Sequence, residues 1–127
     1  MRTKINSGSK WEEIVGYSRA IQVGNLIEVA GTTAMDGNKL VGKDDLYAQT
    51  VFIIQKIENV LVELGSSLND VIRTRMFVTN IAEWEMAGKA HGEFFKTIRP
   101  VTSMVEVSSL ISKDLLIEIE ATAIINP

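Results

Sequence analysis

The stretch Leu116-Ile117-Glu118-Ile119-Glu120 alternates apolar and acidic residues without a break, and no other segment constrains the fold so tightly. A period of two belongs to a β-strand, in which successive side chains point to opposite faces. The isoleucines take one face. The other carries two carboxylates about 7 Å apart, set by the strand rise.

The remaining pattern supplies the partners of this strand. Arg19 to Val23 and Leu26 to Thr32 read as two strands joined at Gly24-Asn25, a pair that supplies the positive φ angles of a tight hairpin. After the turn-rich stretch Met35 to Lys43, Asp44 and Asp45 open a helix, their charge suiting its N-terminal dipole. Leu46, Val51, Ile54, Ile57, Leu61 and Leu64 follow near helical spacing, and Gly65 closes the segment. Val71 to Thr79 reads as a strand with Ile72, Met76 and Val78 on one face and Arg73 and Arg75 on the other. Trp84, Ala87, His91, Phe94, Phe95 and Ile98 mark a second helix that Pro100 stops. Thr102 to Val107 and Leu115 to Ile125 read as two long strands around a turn at Ser112 to Asp114. No linker or low-complexity block interrupts residues 1–127, so a single domain is expected.

Two strand–helix–strand passages predict an α+β sheet with both helices on one face. The opposite face, expected to carry Val29, Glu106, Glu118 and Glu120, needs cover, which points to oligomerisation. Were Glu106 to lie beside Glu118 and Glu120 in a hairpin, like charge and burial would raise at least one carboxyl pKa toward the range useful for proton transfer. Periodicity alone favours a plainer arrangement, a solvated outer face with the isoleucines inward.

Composition removes several classes of function. With 127 residues, 46% of them hydrophobic, the chain buries a core without help from disulfides or a structural metal. The absence of cysteine excludes thiolate catalysis and cysteine-based zinc sites, and a lone histidine, His91, cannot form a two-histidine metal centre, so no metal is expected. A net charge of -3 makes nucleic acid a poor partner. No signal-peptide core and no apolar run of about 18 residues is present, so neither membrane insertion nor export is expected and the chain reads as cytoplasmic. Nucleophile-elbow, phosphate-loop and dinucleotide motifs are missing. Arg19, Arg73, Arg75 and Arg99 could each hold an anion, although strand arginines more often pair with neighbouring carboxylates.

Four separated segments carry a resemblance. Tyr17-Ser18-Arg19-Ala20, Val29-Ala30-Gly31-Thr32, Asp70-Val71 through Phe77-Val78-Thr79-Asn80, and Val105-Glu106-Val107 with Ile117-Glu118-Ile119-Glu120-Ala121 occur in the order and register of the YjgF/RidA family, which the chain resembles over nearly its whole length. The resemblance implies a chorismate-mutase-like α+β protomer, a six-stranded mixed sheet with two helices on one face. It also implies a homotrimer whose sheets form a central barrel. Clefts between subunits would bind a small molecule, and the reactive intermediate deaminases of the family hydrolyse enamines and imines there without any cofactor. Tyr17 then matches the cleft tyrosine, Gly31 and Thr32 the segment offering backbone groups to the ligand, and Glu118 the glutamate that positions water.

The chain also departs from that pattern. Deaminase members carry an arginine in an Ala-Arg-Ser stretch that clamps the substrate carboxylate, whereas this sequence reads Val101-Thr102-Ser103. Gly88 stands where those members have an asparagine, and one residue is added before Lys113. Arg99, three residues before Thr102, and Arg19, two after Tyr17, are the alternative sources of positive charge. The expected function is hydrolysis of a small imine, enamine or related metabolite with altered preference. A non-catalytic trimeric binding protein is the alternative, and the endoribonuclease or translation-inhibitor activity attached to some members is opposed by the acidic balance and the lack of a histidine constellation.

Overall fold

In the computed structural model, which describes residues 1–126, the chain runs through β1 (Arg2–Ile5), β2 (Ala20–Val23), β3 (Leu26–Thr32), a short ribbon of β4 (Met35–Asp36) and β5 (Lys39–Leu40), α1 (Leu46–Glu63), β6 (Val71–Val78), α2 (Trp84–Phe95), β7 (Val101–Glu106) and β8 (Ile117–Ile124). Six strands form one sheet in the order β1-β2-β3-β8-β6-β7. Only β6 and β7 run parallel, and the sheet is therefore mixed.

The alternating segment lies in the middle of the sheet as β8, between β3 and β6. Its Ile117, Ile119, Ala121 and Ala123 are buried with Ile27 and Val29 of β3 and with Ile53, Ile54, Ile57 and Leu61 of α1. Each fully buried isoleucine or leucine contributes roughly 1.5 to 3 kcal/mol, so this stripe fixes which face of β8 turns inward. Asp45 caps α1 by accepting from the Ala48 amide at 3.0 Å. Asp44 lies outside the helix with φ 60°.

One polar side chain in the core anchors β8. Gln49 is fully buried on α1. It donates to the carbonyls of Gly42 at 3.1 Å and Asp114 at 3.0 Å and accepts from the Leu116 amide at 2.9 Å. A buried amide satisfied on both ends is held in one geometry, and the start of β8 is held with it.

The structure corrects the sequence-based picture at several points. β1 and the helical turn Glu12–Gly16 carry no clear periodicity and escape a sequence reading. Of the Gly24-Asn25 pair, only Gly24 takes a positive φ, 62°, although Val23 and Leu26 pair as the hairpin requires. β7 does not form a hairpin with β8; it pairs in parallel with β6, and β6 separates the two. Glu106 is thus remote from Glu118 and Glu120, and its carboxylate accepts from the Ile81 amide at 3.0 Å. Val29 faces the buried side, two residues after the buried Ile27 in unbroken alternation, and the bulge in β3 comes only after it. A second irregularity, between Val71 and Arg73, puts Ile72 at the surface instead of beside Met76 and Val78.

Candidate functional site

The bulge in β3 builds the site. Val29 pairs with Ala121 and Thr32 with Ile119, so Ala30 and Gly31 together face the single residue Glu120. An extra residue in a strand takes backbone groups out of the ladder, and these need other partners. Thr32 Oγ1 donates to the Ala30 carbonyl at 2.8 Å, and Arg19 Nη2 donates to the Gly31 carbonyl at 2.7 Å. The Ala30 amide donates to the Arg19 carbonyl at 3.0 Å, which closes the bulge against the start of β2.

Glu118 fills the space over Gly31. A Cβ at residue 31 would stand 2.7 Å from the Glu118 Cδ and nearer still to its carboxylate. Gly31 does not have a positive φ; what residue 31 requires is the absence of a side chain. On the other flank Phe77 of β6 stands opposite Glu118 in the register. Burial in this niche raises the Glu118 pKa from its ordinary value, and the neighbouring Glu120 adds to the rise, while Arg19 opposes it.

Tyr17 completes the cluster. It follows the turn Glu12–Gly16, which is held where Glu12 accepts from the Ser7 amide and hydroxyl. The Tyr17 ring is 38% exposed, and the Arg19 guanidinium lies 5.9 Å from its centre. Tyr17 is thus linked to the bulge through Arg19, whose guanidinium bonds the Gly31 carbonyl and whose charge is felt by the Glu118 carboxyl seated over Gly31.

Thr102, Ser103 and Arg99 lie elsewhere. β7 is four strands from β2, roughly 19 Å at the usual strand spacing. Thr102 Oγ1 stands 2.8 Å from Thr74 Oγ1, which is itself 2.8 Å from His91 Nε2. Ser103 is in register with Arg75. Arg99 is exposed between α2 and β7 with φ 56°. Thr32 is buried at the rim of the bulge. Glu118 and Glu120 on β8 are two strands from β7, roughly 10 Å, and β2, which Tyr17 and Arg19 precede, is two strands further away.

A concavity of about 370 Å³ follows the open face of the sheet next to this cluster. It is lined by Glu28, Arg73, Arg75, Glu120 and Thr122. Arg75 and Glu120 form an ion pair at 3.7 Å, and Thr122 donates to Glu28, so its charges are largely matched. Among the described residues no three His, Asp or Glu side chains are grouped to hold a metal ion, and no helix is long and apolar enough to cross a membrane. Lys56 is the neighbour that sequence reasoning missed: it lies on α1 next to the buried stripe and turns its ammonium toward the β3–β4 connection.

The family model for Endoribonuclease L-PSP matches residues 8–125. The chain belongs to this family, the YjgF/Rid family. The Rid-family chain superposes with TM-score 0.90 on the crystal structure of Rv2704 from Mycobacterium tuberculosis, a member of the YjgF/YER057c/UK114 family, at 48% identity over 98% of this chain and 100% of that one. It is 39% identical over 108 residues to a RutC family protein of Pyrococcus abyssi, covering 84% of each. It is also 32% identical over 108 residues to the 3-aminoacrylate deaminase RutC of Acinetobacter baylyi, covering 84% of this chain and 85% of that protein. The Rid-family assignment accounts for the six-stranded mixed sheet with two main helices.

Proposed function

We propose that this chain is a Rid-type deaminase that hydrolyses a small imine or enamine in a cleft between subunits of a homotrimer, with Glu118 as the residue that orients and deprotonates water. The observation that carries this reading is the Glu118 carboxyl seated over Gly31 beside Arg19 and Tyr17. In the reaction, water adds its oxygen to the carbon of a C=N bond while Glu118 takes a proton from it. That proton is returned to nitrogen to give a carbinolamine; Glu118 then passes the proton of the new hydroxyl to nitrogen as the C–N bond breaks and the C=O bond forms, so a carbonyl compound and ammonia leave, an enamine entering the same sequence after tautomerising to its imine. Burial favours a carboxyl that changes protonation state nearer neutrality than an exposed one does, as this step asks. The relative named 3-aminoacrylate deaminase supports the reaction class.

Two features support the interface location. Tyr17 is partly open to solvent, and Thr102, which stands where the deaminase members have their arginine, lies exposed with Ser103 on the edge strand β7. A second subunit that brings its β7 to the Tyr17 cluster joins the two. With Thr102 in the place of the carboxylate-clamping arginine, Arg19 is the positive charge already next to Glu118, and substrate preference shifts toward molecules that this cation can hold.

The test is hydrolysis of 2-imino acids, generated by an amino-acid oxidase with semicarbazide competing for them, for the wild type beside Glu118→Ala and Thr102→Arg. Acceleration by the wild type and not by Glu118→Ala supports the deaminase reading. Activity gained only in Thr102→Arg instead assigns the native chain to ligand binding on a retained scaffold. Light scattering gives the assembly state, and a monomer of 14.0 kDa at micromolar concentration overturns the interface cleft.

A further inference from the structure

A second cavity, about 220 Å³, opens between the end of β1, the start of β2 and the outer turns of α1. Its wall includes Arg19, Lys56, Asn6, Asn59 and Glu63. We infer that this cavity is a binding site for a small oxyanion, the carboxylate or phosphate group of a compact metabolite, held between Arg19 and Lys56.

The arrangement of donors supports the assignment. Lys56 Nζ donates to the carbonyls of Met35 at 2.8 Å and Thr33 at 3.3 Å, which fixes the ammonium at the cavity wall and leaves one of its three N–H groups free of those bonds. Arg19 commits Nη2 to the Gly31 carbonyl, and its Nε is buried without a partner. A guanidinium has five N–H donors, and a planar anion is their usual complement.

Charge points the same way. Among the described residues neither Arg19 nor Lys56 has a carboxylate within ion-pair distance; the ion pair that the sheet does form joins Arg75 and Glu120 on its open face. Burial lowers the Lys56 pKa, and the proximity of Arg19 lowers it further, with Asp36 opposing. Two partly buried like charges gathered around one cavity cost stability unless a counter-ion joins them. Glu63 lies on the same wall outside ion-pair distance of both, so the cavity carries one net positive charge, which a monoanion neutralises. Its volume accommodates a carboxylate with a short chain or a phosphate.

This cavity shares Arg19 with the Glu118 cluster, yet the two are separable by experiment. Isothermal titration of the full chain with sodium propionate and with inorganic phosphate, at constant ionic strength, is expected to give saturable one-site binding of at least one of them, and the probe that binds tells carboxylate from phosphate. Lys56→Met should weaken that binding about tenfold or more, the loss of a charge-assisted contact, while Lys56→Arg retains it. Asn59→Asp, an exposed change that adds a negative charge to the wall, should weaken it without touching either cation. Glu118→Ala, which removes a negative charge coupled to Arg19, should bind at least as tightly as the wild type, whatever its effect on hydrolysis. Absence of saturable binding by both probes overturns the inference, as does unchanged affinity in both Lys56→Met and Asn59→Asp, or loss of binding in Glu118→Ala.

Discussion

The Glu118 carboxyl occupies the volume that any side chain at Gly31 would fill, with its Cδ 2.7 Å from where a Cβ would stand. Gly31→Ala therefore moves the carboxylate, the flexible partner, and leaves the strand in place. Displacement of a catalytic group by about 1 Å costs roughly 10²-fold in rate, and we expect a fall of that order in kcat/KM for imine hydrolysis. A double mutant with Glu118→Ala checks the route, since it should be no worse than Glu118→Ala alone. Additive losses would place the effect of Gly31 elsewhere.

Glu118 is also a liability to the fold. Burial and Glu120 raise its pKa, so the folded chain holds this proton more tightly than the unfolded chain does. Stability attributable to the protonated form is complete below the ordinary value of 4.5 and is lost as pH rises through the higher folded value. Glu118→Gln should consequently be more stable than the wild type at neutral pH, with the two curves converging at about pH 4. Urea midpoints at both pH values measure it; an equal difference at both would show that the substitution acts through packing and not through charge.

How much of this was legible follows residue by residue. The alternation around Glu118 fixed its strand and its face, because a period of two survives whatever the strand pairs with. The pairing of that strand was not legible. Residues 102–107 and 115–125 look like a hairpin in one dimension, but the connection lets β7 pass to the far side of β6, and parallel pairing leaves no local turn signature. The bulge at Ala30-Gly31 was equally hidden, since its hydrogen-bond partners come from Arg19, twelve residues away, and from Thr32. Sequence resemblance did draw attention to Tyr17, Gly31 and Glu118; the Glu118 carboxyl sits over Gly31, and Tyr17 lies by Arg19, which bonds the Gly31 carbonyl. Lys56 and Gln49 gave no signal: each is a helix residue of ordinary propensity whose role arises from tertiary contacts with carbonyls of other segments.

Arg19 links the bulge to the electrostatics of the cluster. Its guanidinium favours the ionised form of Glu118, against the effects of burial and of Glu120. Arg19→Gln removes that support, so the Glu118 pKa should rise further and the acidic limb of the kcat/KM profile should move to higher pH. The substitution also removes a charged hydrogen bond to the Gly31 carbonyl, which costs about 1.5 to 3 kcal/mol of stability. Arg19→Lys restores the charge without the planar fork, and should recover the pH profile more fully than the stability. A profile that stays in place for Arg19→Gln would separate this residue from the titration of Glu118.

The chain from His91 through Thr74 to Thr102 supplies the last prediction, and its sign is opposite to that of Glu118. His91 packs against Phe95 with ring centres 4.5 Å apart, and burial lowers its pKa below the ordinary 6.5. The unfolded chain thus takes up a proton more readily than the folded one; the stabilising contribution is present above pH 6.5 and declines as pH falls through the window between that value and the lower folded one. Thr74, with its hydroxyl 2.8 Å from both His91 Nε2 and Thr102 Oγ1, is fully enclosed and joins the two. Thr74→Val keeps the shape and leaves the imidazole nitrogen without its partner, at a cost of about 1 to 3 kcal/mol. His91→Gln should flatten the decline of stability below pH 6.5 seen in the wild type. Denaturant melts of both variants across that range test the two claims together, and a wild-type decline that persists in His91→Gln would assign it to the carboxylates.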